Sequence, residues 1–261
     1  MTVGPGHHLK ITDFCCSYNA DHSCKSQSAV ASDLANVEEY QVVRLYGTDC
    51  DQVANVAKAL GGKASIFAGI FDIDDIQNEV DLLSAGIDGN WKSVVAVSVG
   101  NELVNSGQAS PAKVTSAIST ARAALKAKGY NGPLTTVDTM IALQNHPELC
   151  TASDFCAINC HAFFDGNVLP SGVGEFVAGW VSKIKAAAGN DKRVVVTESG
   201  WPTQGSPNNQ AVPGKSQQQQ AVQSLKQALS KDLILYTLYD DLWKQDSANT
   251  FNAEKHWGLR G

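Results

Sequence analysis

Two glutamates stand at the ends of apolar runs. One run is Val94-Val95-Ala96-Val97-Ser98-Val99-Gly100-Asn101-Glu102, the other Arg193-Val194-Val195-Val196-Thr197-Glu198-Ser199-Gly200-Trp201-Pro202. β-branched runs of this length read as strands buried on both faces, as in a parallel sheet. A carboxylate at the C-terminal end of such a strand lies where barrels and open α/β sheets place their chemistry. Two of them facing one cleft could do glycoside hydrolysis, which needs one carboxyl that stays protonated and one that stays ionised. Glu198 is the candidate nucleophile, held ionised if Arg44 reaches the same rim. Glu102 is the candidate general acid, its pKa raised by apolar surroundings or by its negative neighbour.

Other strand ends carry suitable partners. They are Arg44-Leu45-Tyr46, Val137-Asp138, Asn159-Cys160-His161-Ala162-Phe163-Phe164-Asp165 and Tyr239-Asp240-Asp241-Leu242-Trp243-Lys244. Aromatic faces stack on the apolar faces of sugar rings, while Asn, Asp and Arg take hydroxyls. Trp201, Phe164 and Trp243 are the best stacking candidates. Asp138 could line the cleft or cap the following helix. Of Asp240 and Asp241, alternation sends one to the rim and the other into packing or pairing.

The elements that must position these residues recur in order. Eight apolar runs are expected as strands: Ile11–Cys16, Tyr40–Tyr46, Lys63–Phe71, Ser93–Glu102, Pro133–Thr139, Asp154–Phe164, Arg193–Trp201 and Leu233–Trp243. Helices are expected over 28–38, 51–60, 75–85, 111–128, 172–188 and 216–230. Asp49 and Ser216 read as caps, Ser110-Pro111 as an N-cap with proline in the first turn, and Gly61-Gly62, Gly86, Gly129 and Gly189 as stops. Residues 140–150 are short for a full helix, and the chain after Trp243 is irregular. Repeated strand–helix alternation over roughly 250 residues predicts an α/β chain folded as a (β/α)8 TIM barrel, one catalytic domain over residues 1–261 with residues 1–8 a flexible tail. An open doubly wound sheet is disfavoured, because no Gly-rich phosphate fingerprint follows the first strand.

Composition narrows the partners. The net charge of −6 argues against nucleic acid, and no apolar run approaches the ~18 residues of a membrane span. Seven cysteines (15, 16, 24, 50, 150, 156, 160) fall in two groups, which fits disulfides in a secreted protein better than cytosolic thiols. One bridge is expected between the early group and Cys50, and one among Cys150, Cys156 and Cys160. The N-terminus lacks an apolar signal core, so secretion implies a signal removed ahead of it. No metal is expected: Cys156 and Cys160 lack a completing set of ligands, and Asp72-Ile73-Asp74-Asp75 reads as the cap and first turn of a helix, not a calcium loop.

Five ordered segments carry a resemblance. Ser98–Glu102 and Thr197–Pro202 resemble the two signature segments of glycoside hydrolase family 17, the β-1,3-glucanases. Val43–Gly47, Asn159–Gly166, and Asp241-x-Trp243-Lys244 with Glu254–Leu259 resemble the fungal cell-wall branch of that family. The resemblance implies a retaining double displacement with Glu102 as acid/base and Glu198 as nucleophile, their carboxyl groups roughly 5–5.5 Å apart. It implies that Asn101 holds the 2-hydroxyl of the sugar on Glu198. Arg44, Tyr46, Asn101, Asn159, His161, Phe163, Phe164, Trp201, Asp241, Trp243 and Lys244 are then expected to bind substrate. His161 stands where plant members usually carry tyrosine, so the nucleophile's hydrogen bond must come from His161 or elsewhere. The expected partner is β-1,3-glucan or laminari-oligosaccharides, with no cofactor, no nucleic acid and no membrane, acting as a monomer that is secreted or held in the cell wall. Whether water or another sugar resolves the glycosyl-enzyme stays open. So does a non-catalytic glucan-binding protein, against which both glutamates stand. An aldolase- or isomerase-type barrel would want a strand-end lysine or a flexible phosphate loop, which Gly200-Trp201-Pro202 does not provide.

Overall fold

Strands buried on both faces need a sheet with no free edge and helices outside it. A computed structural model of the chain describes residues 11–13, 18–35, 40–189, 191–229 and 231–260, and it has that form. Eight parallel strands close into a barrel in sequence order: β1 (Ile11–Asp13), β2 (Val42–Arg44), β3 (Ser65–Ile70), β4 (Val94–Asn101), β5 (Leu134–Thr139), β6 (Cys156–Asn159), β7 (Val194–Ser199) and β8 (Leu233–Leu235). Closure is the pairing of Ile11 with Ile234. The helices are α1 (Gln27–Asp33), α2 (Gln52–Leu60), α3 (Ile76–Gly86), α4 (Pro111–Ala127), the short α5 (Met140–Asn145) and α6 (Glu148–Ala152), α7 (Val173–Ala188) and α8 (Lys215–Ala228). No α-helix follows β8 among the described residues. None of the described helices is long and apolar enough to cross a membrane.

Alternation along the strands sorts the core into an inside and an outside. Val42, Phe67, Ala96, Val137, Ala157, Val195 and Ile234, from seven strands, pack together as the barrel interior. Their neighbours, such as Ile66, Val97, Ile158 and Val196, pack against the helices. All eight expected strands are present, but the sixth and eighth are shorter than their apolar runs. Residues 162–165 form a 3-10 turn and the chain beyond Leu235 is irregular, because these aromatics sit above the sheet where no strand partner continues. Ser110 caps α4 through the Lys113 amide. Ser216 does not cap α8, whose N-cap is Gly214. Asp49 does not cap α2; its Oδ1 accepts from Gln52 Nε2 instead. Asp75 occupies the N-cap of α3 without a side-chain cap bond, and Asp72 accepts the Asp74 amide.

Two strands carry a bulge just before their glutamate. In β4, Ser98 pairs with Thr135 but Asn101 with Val137, so β4 has an extra residue. In β7, Ile158 of β6 faces Val196, yet Asn159 faces Glu198. A bulge breaks the two-residue alternation and re-aims the side chains that follow. Gly100 takes φ of +75° in the first bulge, which favours glycine.

Disulfides join Cys24 to Cys50 and Cys150 to Cys156, within the expected groups. Cys160 is a buried free thiol, its pKa pushed up to about 12 by burial. Cys15, Cys16, the tail at 1–8 and the expected helix end at 36–38 lie outside the described residues.

Candidate active site

The C-terminal ends of the strands surround a cleft of about 690 Å³. Glu198 sits on its floor with the side chain 8% exposed. Arg44, wholly buried at the end of β2, donates from Nη1 to Glu198 Oε1 at 2.9 Å and to the Thr197 carbonyl at 2.9 Å. The Tyr46 hydroxyl donates to the same Oε1 at 2.7 Å. His161 Nε2 lies 3.2 Å from Oε2, and since a carboxylate only accepts, Nε2 is the donor. Burial alone would raise the Glu198 pKa. The His161 hydrogen bond, the Arg44 charge and the Tyr46 hydroxyl outweigh burial and hold it below the usual carboxylate range.

Glu102 is held differently. No cation among the described residues pairs with it; Asn159 Nδ2 donates to its Oε1 at 2.8 Å. Burial, and after it the negative charge of Glu198, raise the Glu102 pKa, and the Asn159 bond offsets only part of that. Its backbone takes φ of +54°, uncommon for a non-glycine residue. The turn that follows is pinned by Asp138, which accepts the amides of Val104 at 2.9 Å and Asn105 at 3.3 Å. Asp138 therefore neither lines the cleft nor caps α5, whose cap is Thr139.

One network joins the two carboxyl groups. Asn101 Oδ1 accepts from Arg44 Nη2 at 2.9 Å and from Asn159 Nδ2 at 3.2 Å. Thr197 Oγ1 donates to Asn159 Oδ1 at 2.9 Å and so orients the amide whose Nδ2 reaches Glu102. The Asn101 oxygen is thus occupied, and its Nδ2 is the group left to donate into the cleft. A carboxyl biased toward protonation and a carboxylate biased against it, on one cleft, are equipped to donate a proton and to attack as a nucleophile.

Residues 15–258 match the BtgE/BtgC glycoside hydrolase domain. The chain belongs to this family. It is 44% identical over 244 residues to the cell surface mannoprotein MP65 of Candida albicans, covering 93% of this chain and 64% of that one. It is equally identical to the probable family 17 glucosidase SCW4 of Saccharomyces cerevisiae, covering 63% of that relative. The chain thus spans less than two thirds of either relative. In fold it is similar to a family 17 β-1,3-glucanosyltransferase from Rhizomucor miehei, with a TM-score of 0.81 and 18% identity over 97% of this chain and 92% of that one. An active-site mutant of that enzyme is known in complex with laminaritriose.

The expected site residues of this glycoside hydrolase domain divide into three groups. Tyr46, Asn101, His161, Phe164, Trp243 and Lys244 line the cleft with the two glutamates. Arg44, Asn159 and Asp241 are buried behind it and hold groups that line it. Asp241 accepts from Trp243 Nε1 at 3.3 Å and pairs with Lys244 at 3.1 Å, while Asp240 accepts the Gly258 amide at 2.8 Å. Neither aspartate lines the cleft, contrary to the expectation for one of them. Trp201 and Phe163 are corrections: both are wholly buried, ring to ring at 5.4 Å, in the core against α7 and α8. Trp201 Nε1 donates to the Val212 carbonyl at 2.9 Å. Both stand beyond the last residue of their strand, Asn159 and Ser199, where strand alternation no longer sets which way a side chain faces.

The cleft also contains residues that sequence reasoning did not assign to it, among them Tyr18, His22, Phe71, Tyr236 and Trp257. Trp257 lies in the Glu254–Leu259 segment, which was the available signal for it. Glu198 accepts from Tyr46 as well as from His161.

Proposed function

We propose that the chain is a retaining β-1,3-glucan-active enzyme. Glu198 attacks the anomeric carbon while Glu102 protonates the departing glycosidic oxygen. That leaves a glucosyl ester on Glu198 and a free sugar hydroxyl on the leaving chain. Glu102, now a carboxylate, takes the proton from an incoming hydroxyl as that oxygen displaces Glu198, and the configuration at the anomeric carbon is retained. Asn101 Nδ2 donates to the 2-hydroxyl of the bound sugar. Phe164 and Trp243 offer faces for stacking, and Lys244 a donor for hydroxyls.

The opposed pKa directions of Glu102 and Glu198 within one cleft carry this reading. The glucosidase name of the yeast relative and the β-1,3-glucan ligand of the Rhizomucor protein support the substrate class. The incoming hydroxyl belongs to a second glucan chain as well as to water, because an acceptor held in the cleft competes with solvent through its effective concentration. Two disulfides and the cell-surface name of the Candida relative support a place outside the cell, at the wall.

Product analysis on a defined laminari-oligosaccharide tests both halves. Products longer than the substrate at high substrate concentration are expected. Shorter products alone would refute transfer. No turnover by the unmutated protein, with glucan still bound, would leave a binding protein.

A further inference from the structure

Away from the two carboxyl groups, three rings pack together on one wall of the cleft. His22 lies parallel to Trp243 at 4.9 Å and 6°. Tyr18 meets both, at 4.6 Å and 5.1 Å. All three line the cleft, yet they come from opposite ends of the chain: the connection after β1 supplies Tyr18 and His22, and the connection after β8 supplies Trp243. Trp243 is fixed on its other edge by the buried carboxylate of Asp241. The Tyr18 hydroxyl donates to Asp49, and Gln52 Nε2 donates to the other oxygen of Asp49 at 2.6 Å. Asp49 and Gln52 line the cleft too. An aromatic wall beside an Asp–Gln edge is the chemistry that takes one sugar ring, face on the aromatics and hydroxyls on the polar edge.

This assembly is separate from the reacting groups. Arg44, Asn101, Asn159 and Glu198, which set the two carboxyl groups, belong to β2, β4, β6 and β7. The stacked rings are carried by the loops above β8 and β1, and the polar edge by the loop after β2. The 18–24 turn that carries two of the rings has little core of its own: most of its residues are exposed. What ties it to the Asp49–Gln52 segment covalently is the Cys24–Cys50 disulfide, which spans a Cα–Cα distance of 5.3 Å. Ordering a segment before the ligand arrives removes that entropy cost from binding.

We infer that Tyr18, His22, Trp243, Asp49 and Gln52 form a distal sugar subsite, which takes a glucosyl residue away from the cleaved bond, and that the Cys24–Cys50 disulfide holds its two halves in place. The inference rests on the glucan-active reading above and deepens it: affinity should grow with chain length, and the growth should depend on a disulfide that touches no sugar.

The test compares kcat/KM along a ladder of laminari-oligosaccharides, from the shortest one turned over to laminarihexaose, for the unmutated protein, the Cys24→Ser/Cys50→Ser double variant and His22→Ala. For the double variant a loss of about tenfold on the hexaose is expected, with less than a twofold change on the shortest substrate. His22→Ala should show the same length dependence, and it decides the matter if the double variant does not fold. Equal loss at every length would make the disulfide a general prop of the fold and overturn the subsite. No loss at any length would overturn it as well. Calorimetric binding of laminarihexaose and laminaribiose to the same proteins separates the two readings. If the unmutated protein turns nothing over, the glucan-active reading fails, while a hexaose-selective loss of affinity in the variants still supports the subsite and its absence overturns it.

Discussion

Arg44→Met should move the acid limb of kcat/KM upward. Arg44 is wholly buried and pairs with Glu198, itself 8% exposed. With the guanidinium gone, Glu198 keeps the Tyr46 and His161 donors but loses its countercharge. A hydrogen bond to a charged group contributes about 1.5–3 kcal/mol, and 1.36 kcal/mol corresponds to one pH unit in a pKa, so the limb should rise by roughly one to two units. Removing one partner of a buried ion pair also destabilises by about 3–5 kcal/mol. The sign follows from linkage. In the unmutated protein the folded-state pKa of Glu198 is depressed, so its contribution to stability is present above the unfolded carboxylate range and is lost as pH falls through the lower folded value. In the variant the buried carboxylate is uncompensated at neutral pH, and protonation relieves it. The gap in melting temperature between the two proteins should therefore narrow from pH 7 to pH 4. The assays are a pH–rate profile on a laminari-oligosaccharide and thermal melts across that range. An unmoved acid limb would refute the role of the Arg44 charge in keeping Glu198 ionised.

Two further outcomes follow from the same geometry. Asn159→Ala removes the hydrogen bond that lowers the Glu102 pKa, so the basic limb of kcat/KM should move up by about one pH unit; a basic limb that stays in place would show that Asn159 does not act on Glu102. Trp201→Ala should cost about 3–5 kcal/mol in a denaturant titration, as other large aromatic truncations in cores do; a raised KM with unchanged stability would instead return Trp201 to the sugar-binding wall.

The barrel was legible because its strands are simple. Apolar runs of six to eleven residues, most of them followed by a helix-like stretch, leave few alternative folds. The two glutamates were legible for the same reason, since each ends such a run. Legibility fell at the rim. Periodicity assigns a face only while the strand lasts, and both glutamates follow a bulge that resets it. Past the end of β6 at Asn159, nothing in the apolar pattern tells Phe164, which faces the cleft, from Phe163, which is core. Trp201 failed on the same ground. The buried roles of Arg44, Asn159 and Asp241 depend on which partner sits above each of them, and those partners lie tens of residues away or more for the first two. Tyr18 and His22 enter the cleft through a turn tied by a disulfide, a contact that local sequence does not encode.

Cys160 poses a problem of timing. It lies four residues from Cys156 and ten from Cys150, which are bonded to each other. In an unfolded chain three thiols so close in sequence compete, and loop closure alone barely separates the choices. In the folded barrel the contest is over. Burial pushes the Cys160 thiol up to about 12, so almost no thiolate exists there to attack the neighbouring bridge. Correct pairing is therefore guarded only after β6 has docked. The hazard for this chain is an early oxidant that reaches the thiols before the sheet closes, and a slower oxidant should give a cleaner product than a faster one.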